Sequence, residues 1–127
     1  MAARKGHQNY FFDQFVWQQG SSEGTEYARF AMDSEDAAAP IMVMSRFQPG
    51  TRVAPHAHGS NYMEYIVEGE QSIGRNQFKA GDVRVVKAGT GYGPITVGQN
   101  GCTVLVFFQD GSRAQMETMP RKQATAD

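Results

Sequence analysis

Residues 50–69 read GTRVAPHAHGSNYMEYIVEG and hold two of the chain's three histidines. His56 and His58 stand two apart, so on an extended backbone both rings project to one face, within about 7 Å of each other. Gly59-Ser60-Asn61 is a turn sequence that brings the chain back antiparallel. On the returning strand Tyr62, Glu64, Ile66 and Glu68 share one face at period two. Two neutral imidazoles and a carboxylate on facing strands make a donor set that suits Fe, Mn, Ni or Zn with coordination positions left open. The same residues admit plainer roles. The histidines can be a solvated pair at a strand end, and Glu64 an exposed strand residue or an ion-pair partner of Arg46, Arg52 or Arg84.

The flanking sequence is strands and turns. Ile41–Phe47 (IMVMSRF) follows Pro40 and is stopped by Pro49-Gly50, while Glu26–Met32 alternates moderately. Gln71–Ile73 and Gln77–Phe78 flank the turn Gly74-Arg75-Asn76 and make a hairpin. Val83–Val86 follows the turn Gly81-Asp82, and Thr103–Phe108 (TVLVFF) is apolar on both faces, which predicts a fully buried strand. Residues 89–94 (GTGYGP) are too glycine-rich for a regular ladder. About eight short strands without a convincing helix predict an all-β sandwich or small barrel. An immunoglobulin-like sandwich has the same pattern, but its cysteine pair is missing. Met32, Met42, Met44 and Met63 read as core filler and cavity lining, and Phe47, Phe78, Phe107 and Phe108 as core. Cys102 reads as a packed thiol. The aromatic run Tyr10–Trp17 (YFFDQFVW) predicts an added strand, placed across a dimer interface because a lone aromatic edge is sticky. The expected organisation is a flexible start (1–9), a barrel (10–110) and a loosely attached tail (111–127) with one short helical turn around Ala114–Met119.

Composition narrows the function. A chain of 127 residues is expected to be one domain. Twelve basic against thirteen acidic residues give a net charge of −1, which argues against nucleic acid as a partner. One cysteine allows no intrachain disulfide. No run approaches the roughly 18 apolar residues that cross a bilayer, and no apolar segment follows the polar start as a secretory signal needs. A cytoplasmic protein without a membrane partner is the expectation.

Residues 50–69 also resemble the first motif of the cupin superfamily: glycine, five residues, His-x-His, three or four residues, glutamate, six residues, glycine. Gly50, His56, His58 and Gly69 match it. Residues 81–96 resemble the second motif at Gly81 and Gly89. The departures are Tyr62 in the glutamate slot, Tyr92 in the second-motif histidine slot, Lys87 in the proline slot and Thr96 in the asparagine slot. The resemblance implies a double-stranded β-helix, or jelly-roll barrel. It implies a divalent metal ion on His56 and His58, with Glu64 one same-face step along the strand standing in for the missing glutamate. Tyr62 and Tyr92 are then the candidate proton-handling catalytic groups, Tyr92 alternatively a phenolate ligand, and both alternatively barrel packing. The implied function is an enzyme of dioxygenase or lyase type acting on a small aromatic or carbonyl compound, working as a homodimer. Two alternatives stay open: a non-catalytic small-ligand-binding module, and a metal-independent isomerase or epimerase using histidine–tyrosine acid–base chemistry.

Overall fold

The computed structural model describes residues 6–118; the earlier part of the expected flexible start and the tail beyond 118 lie outside the described residues. The strands are β1 (Gln18–Gln19), β2 (Thr25–Ala31), β3 (Ile41–Phe47), β4 (Arg52–Val53), β5 (His56–His58), β6 (Tyr62–Ile73), β7 (Asn76–Lys79), β8 (Val83–Val86), β9 (Ile95–Phe108) and β10 (Met116–Thr118). The helical pieces among the described residues are two 3-10 turns, Phe12–Gln14 and Gly111–Arg113, and no helix is long and apolar enough to cross a membrane. The large sheet runs β1-β2-β3-β9-β6-β7, with β4 added on β9 and β8 on β6. All pairings are antiparallel. This is the expected all-β jelly-roll barrel.

Strands β6 and β9 hold the barrel together because each serves both layers. Residues 62–69 of β6 pair with 102–108 of β9, and residues 71–73 pair with 95–97. The register shifts between Ile66/Glu68 and between Gly69/Gln71, so the strands bend there. Gly69 sits at φ +80°, and a Cβ on it would run into the Gly101 carbonyl oxygen. Only glycine allows both that backbone conformation and that approach. The bulge also corrects the period-two reading: Tyr62, Glu64 and Ile66 face inward, but Glu68 is thrown off that row and is exposed.

Alternation explains the other corrections. In β9, Val104, Val106 and Phe108 are buried, while Phe107 is 46 % exposed. The expected full burial of Thr103–Phe108 fails because no layer among the described residues covers the outer face of this strand. The same parity turns Met63 outward, and Met32 too is exposed rather than core. The aromatic N-terminal run forms no strand over Tyr10–Trp17. Tyr10 and Phe15 pack on Phe30 with ring centroids 4.9 and 4.8 Å apart, and the Arg46 guanidinium lies 3.5 Å over Trp17. The run therefore covers the outer side of β2 and β3 in its own chain. At the other end, Met116–Thr118 lie within the expected loose tail but pair antiparallel with His56–His58. The expected helical turn is displaced to Gly111–Arg113, where the Asp110 side chain accepts from the Ser112 N–H.

Candidate ligand site inside the barrel

The histidine strand β5 is held from both sides. β10 pairs with one edge. On the other, His56 and Tyr92 exchange backbone hydrogen bonds, N–H to O at 3.0 Å each way. The glycine-rich segment thus makes no ladder but one bridge, which puts Tyr92 beside His56. Ring centroids are 5.0 Å apart for His56–His58, 4.8 Å for His56–Tyr92 and 5.0 Å for His58–Tyr62. All four side chains and Glu64 line one cavity of about 880 Å³, whose remaining wall includes Ile41, Val43, Val104, Val106 and Phe108.

Each imidazole is oriented by a backbone carbonyl. His56 Nδ1 lies 2.9 Å from the Ala54 oxygen, and His58 Nδ1 lies 2.7 Å from the Ala114 oxygen. A carbonyl only accepts, so both rings carry hydrogen on Nδ1. Burial pushes the His56 pKa down to about 4 and lowers that of His58 as well. Both rings are therefore neutral near pH 7, with a lone pair on Nε2. A carbonyl behind an imidazole is the usual support of a metal-ligating histidine.

The two tyrosines form a second unit. The Tyr62 hydroxyl donates to the Tyr92 hydroxyl at 2.5 Å. Burial raises both phenol pKa values, so both stay protonated at neutral pH. In this setting both are neutral phenols and not phenolates.

Glu64 is buried, 6 % exposed. Arg84 Nη1 donates to its Oε1 at 3.1 Å, and Gln71 Nε2 donates to the same oxygen at 3.2 Å. Arg84 also stacks 4.4 Å over the Tyr92 ring. Burial pushes the Glu64 carboxyl up while Arg84 pulls it down. Burial likewise works against the Arg84 charge, yet the Glu64 carboxyl holds its pKa above the ordinary value. Arginine does not deprotonate in proteins, so Arg84 keeps its charge against the Glu64 carboxyl, whose own pKa burial leaves raised.

Among the described residues, no group of three or more His, Cys, Asp or Glu side chains is placed to hold a metal ion. The donor chemistry of His56 and His58 fits a divalent ion, whereas Glu64 shares the cavity with them but is committed to Arg84 and Gln71. Neither Gln71 nor the Ala114 carbonyl stands out in the sequence as part of a site. Arg84 is one of the three arginines open to Glu64 there, and register selects it, since the two are directly paired across β6 and β8. Cys102 is the expected packed thiol, and burial pushes its pKa up to about 12.

Solved structures share this fold. The polyketide cyclase RemF from Streptomyces resistomycificus matches with a TM-score of 0.72 and 16 % identity, over 90 % of this chain and 86 % of that one. An RmlC-like cupin from Shewanella frigidimarina matches with a TM-score of 0.68 and 20 % identity, over 85 % of this chain and 94 % of that one. The structure of Rhodobacter sphaeroides SigE in complex with the anti-sigma ChrR matches at 0.64 and 15 % identity, over 77 % of this chain and 50 % of that one. Identities this low establish the shared fold alone. No curated protein matches the sequence. The family model of the ChrR cupin-like domain, however, covers residues 6–111, nearly the whole barrel, and on that match the chain belongs to this family of cupins.

Proposed function

We propose that the barrel interior binds a small organic molecule beside a divalent metal ion held by His56 and His58, and that the chain is an enzyme in which Tyr62 and Tyr92 supply protons. One observation carries this reading: both imidazoles have their Nδ1 hydrogen tied to a backbone carbonyl and are neutral, which leaves two oriented Nε2 lone pairs in one cavity. When bound, a divalent ion supplies Lewis acidity toward an oxygen of the ligand. The hydrogen-bonded phenols hold a proton at Tyr62 Oη and Tyr92 Oη, which suits lyase-type proton transfer better than dioxygenase chemistry. Glu64 and Arg84 set a fixed charge pair behind them. For Glu64 to serve as a third ligand, that pair would have to open.

Elemental analysis of protein purified without a tag is expected to find about one equivalent of Fe, Mn, Ni or Zn. The His56→Ala/His58→Ala variant should hold none, and Glu64→Gln should keep the ion. Wild-type protein that takes up no metal under supplementation with each of the four sinks the reading. Loss of metal in Glu64→Gln would instead make the carboxylate the third donor.

A non-catalytic ligand-binding module is the second reading, favoured by Tyr92 in place of a fourth metal-ligating side chain. Incubation with a metabolite extract separates the two. A compound depleted as another rises, in wild type but not in the double histidine variant, marks an enzyme. A compound retained unchanged marks a binding module.

We also propose a homodimer formed through the outer face of the large sheet. Met63, Tyr65, Val67, Val83, Val85 and Phe107 are all exposed there, and Leu105, opposite Tyr65, lies on the same face. The six exposed side chains amount to roughly 500 Å² of apolar surface, near the upper end for a monomer's largest patch. A near-neutral chain offers little repulsion to a second copy. Light scattering should give twice 14.0 kDa for wild type and 14.0 kDa for Val85→Asp/Phe107→Asp with unchanged circular dichroism. A monomeric wild type refutes the dimer.

A further inference from the structure

The cavity carries one charge that no group among the described residues answers. Arg29 lies on β2, directly opposite Val43 of β3. Val43 is opposite Val106 of β9, and Val106 is opposite Glu64 of β6. The ladder row from Arg29 to Glu64 therefore crosses the sheet in three strand spacings, roughly 14 Å along the backbone. Arg29 lines the cavity at its open side and is exposed, whereas Glu64 lines its buried side. The other formal charge on the lining, Glu64, is already matched by Arg84. No ion pair or hydrogen bond of the Arg29 side chain occurs among the described residues. Between the two ends the wall is largely hydrocarbon, with Ile41, Val43, Val104 and Val106 on it. The two imidazoles and two phenols add no net charge.

We propose that the ligand of this cavity is a small organic anion, with an apolar body against the valines and one carboxylate or equivalent oxyanion held by Arg29 at the mouth. This rests on the barrel interior being the ligand site. The physical reasons are three. An unpaired guanidinium offers a planar fork of donors that matches a carboxylate in bidentate geometry. The apolar wall rewards a hydrocarbon body and disfavours a second charge deeper in. The row places Arg29 and Glu64 at opposite ends of one strip of cavity wall, so a molecule anchored at Arg29 extends inward over the valines. A cationic ligand would face Arg29 on entry.

Titration of ¹⁵N-labelled full-length protein at low salt tests this, with benzoate, benzamide and benzylamine as probes and the amides of Val43, Val104 and Val106 as reporters. Benzoate should bind at least tenfold more tightly than benzamide, with benzylamine weakest. Arg29→Gln should remove that preference, lowering benzoate affinity about tenfold or more while benzamide is unchanged. Arg29→Lys should keep part of the preference, and added salt should weaken benzoate but not benzamide. Benzamide binding as well as benzoate overturns the anion proposal and leaves the cavity reading standing. Benzoate binding that survives Arg29→Gln but disappears in His56→Ala/His58→Ala places the anion at the histidines and also overturns it. If none of the probes shifts the cavity amides, the cavity reading and this proposal fall together.

Discussion

Arg84→Met is expected to destabilise the fold by about 3–5 kcal/mol, the usual result of removing one partner from a buried ion pair. The loss is not the worth of the attraction alone. It is the cost of leaving the Glu64 carboxylate 6 % exposed with only the Gln71 amide to solvate it. The sign with pH follows. Burial already pushes this carboxyl up from 4.5, and without Arg84 nothing but Gln71 opposes that. A raised native pKa means that the folded chain binds the proton more tightly than the unfolded one. The variant's stability is then highest below the ordinary carboxylate range and is lost as pH rises through the raised value. Its deficit against wild type should therefore shrink under mildly acidic conditions and be largest in mild alkali. Glu64→Gln/Arg84→Met, with no charge left to strand, should be clearly more stable than Arg84→Met. Urea denaturation of the three proteins checks this. A double variant no better than the single one, or a deficit that grows in acid, contradicts the stranded-charge account.

Gly69→Ala should be at least as damaging, by a different route. Its Cβ would collide with the Gly101 carbonyl oxygen and lie 2.7 Å from the Gly101 carbonyl carbon and 2.8 Å from the Cys102 Cα. These are backbone atoms of β9, the strand that pairs with β6 on both sides of the bulge, so neither strand can yield without losing register. The left-handed φ adds roughly 1–3 kcal/mol by itself. Gly50 and Gly81 separate the two contributions, since they have φ +78° and +96° with nothing within 4 Å of where a Cβ would stand. Alanine at those sites should cost only the backbone strain, while Gly69→Ala should exceed about 4 kcal/mol or fail to fold. Equal denaturation midpoints for the three variants would show that the approach of Gly69 to Gly101 is not tight.

Much of this is legible in the residues. Ile41–Phe47 is bounded by prolines and is a strand over those same positions. The spacing of His56 and His58 puts them on a common face because they lie on a short extended segment. Period two holds in β6 up to Ile66 and fails at Glu68, because a bulge is a property of two strands meeting and not of either alone. Apolar residues at 105 and 107 do not declare which side is covered, since alternation fixes parity but not the neighbour. Sequence leaves Glu64 open between metal ligand and ion-pair partner; its pairing with Arg84 is set by how β6 and β8 align, 20 residues apart in the chain. Arg29 has no signature in the sequence because its meaning comes from the cavity that it borders.

The two histidines differ in how their orientation is secured. His56 takes its tautomer from a carbonyl two residues away, while His58 takes it from Ala114, 56 residues later. The first is settled as soon as the local strand forms. The second waits for the closing of a long loop and for a three-residue strand at the far end of the barrel to dock. A short terminal pairing of this kind opens far more readily than the barrel's long central strands. On warming, or on clipping the chain before Ala114, the barrel should persist after one of its two imidazoles has lost its bearing. The endurance of the site is thus a separate quantity from the endurance of the fold, and its weaker half is at His58.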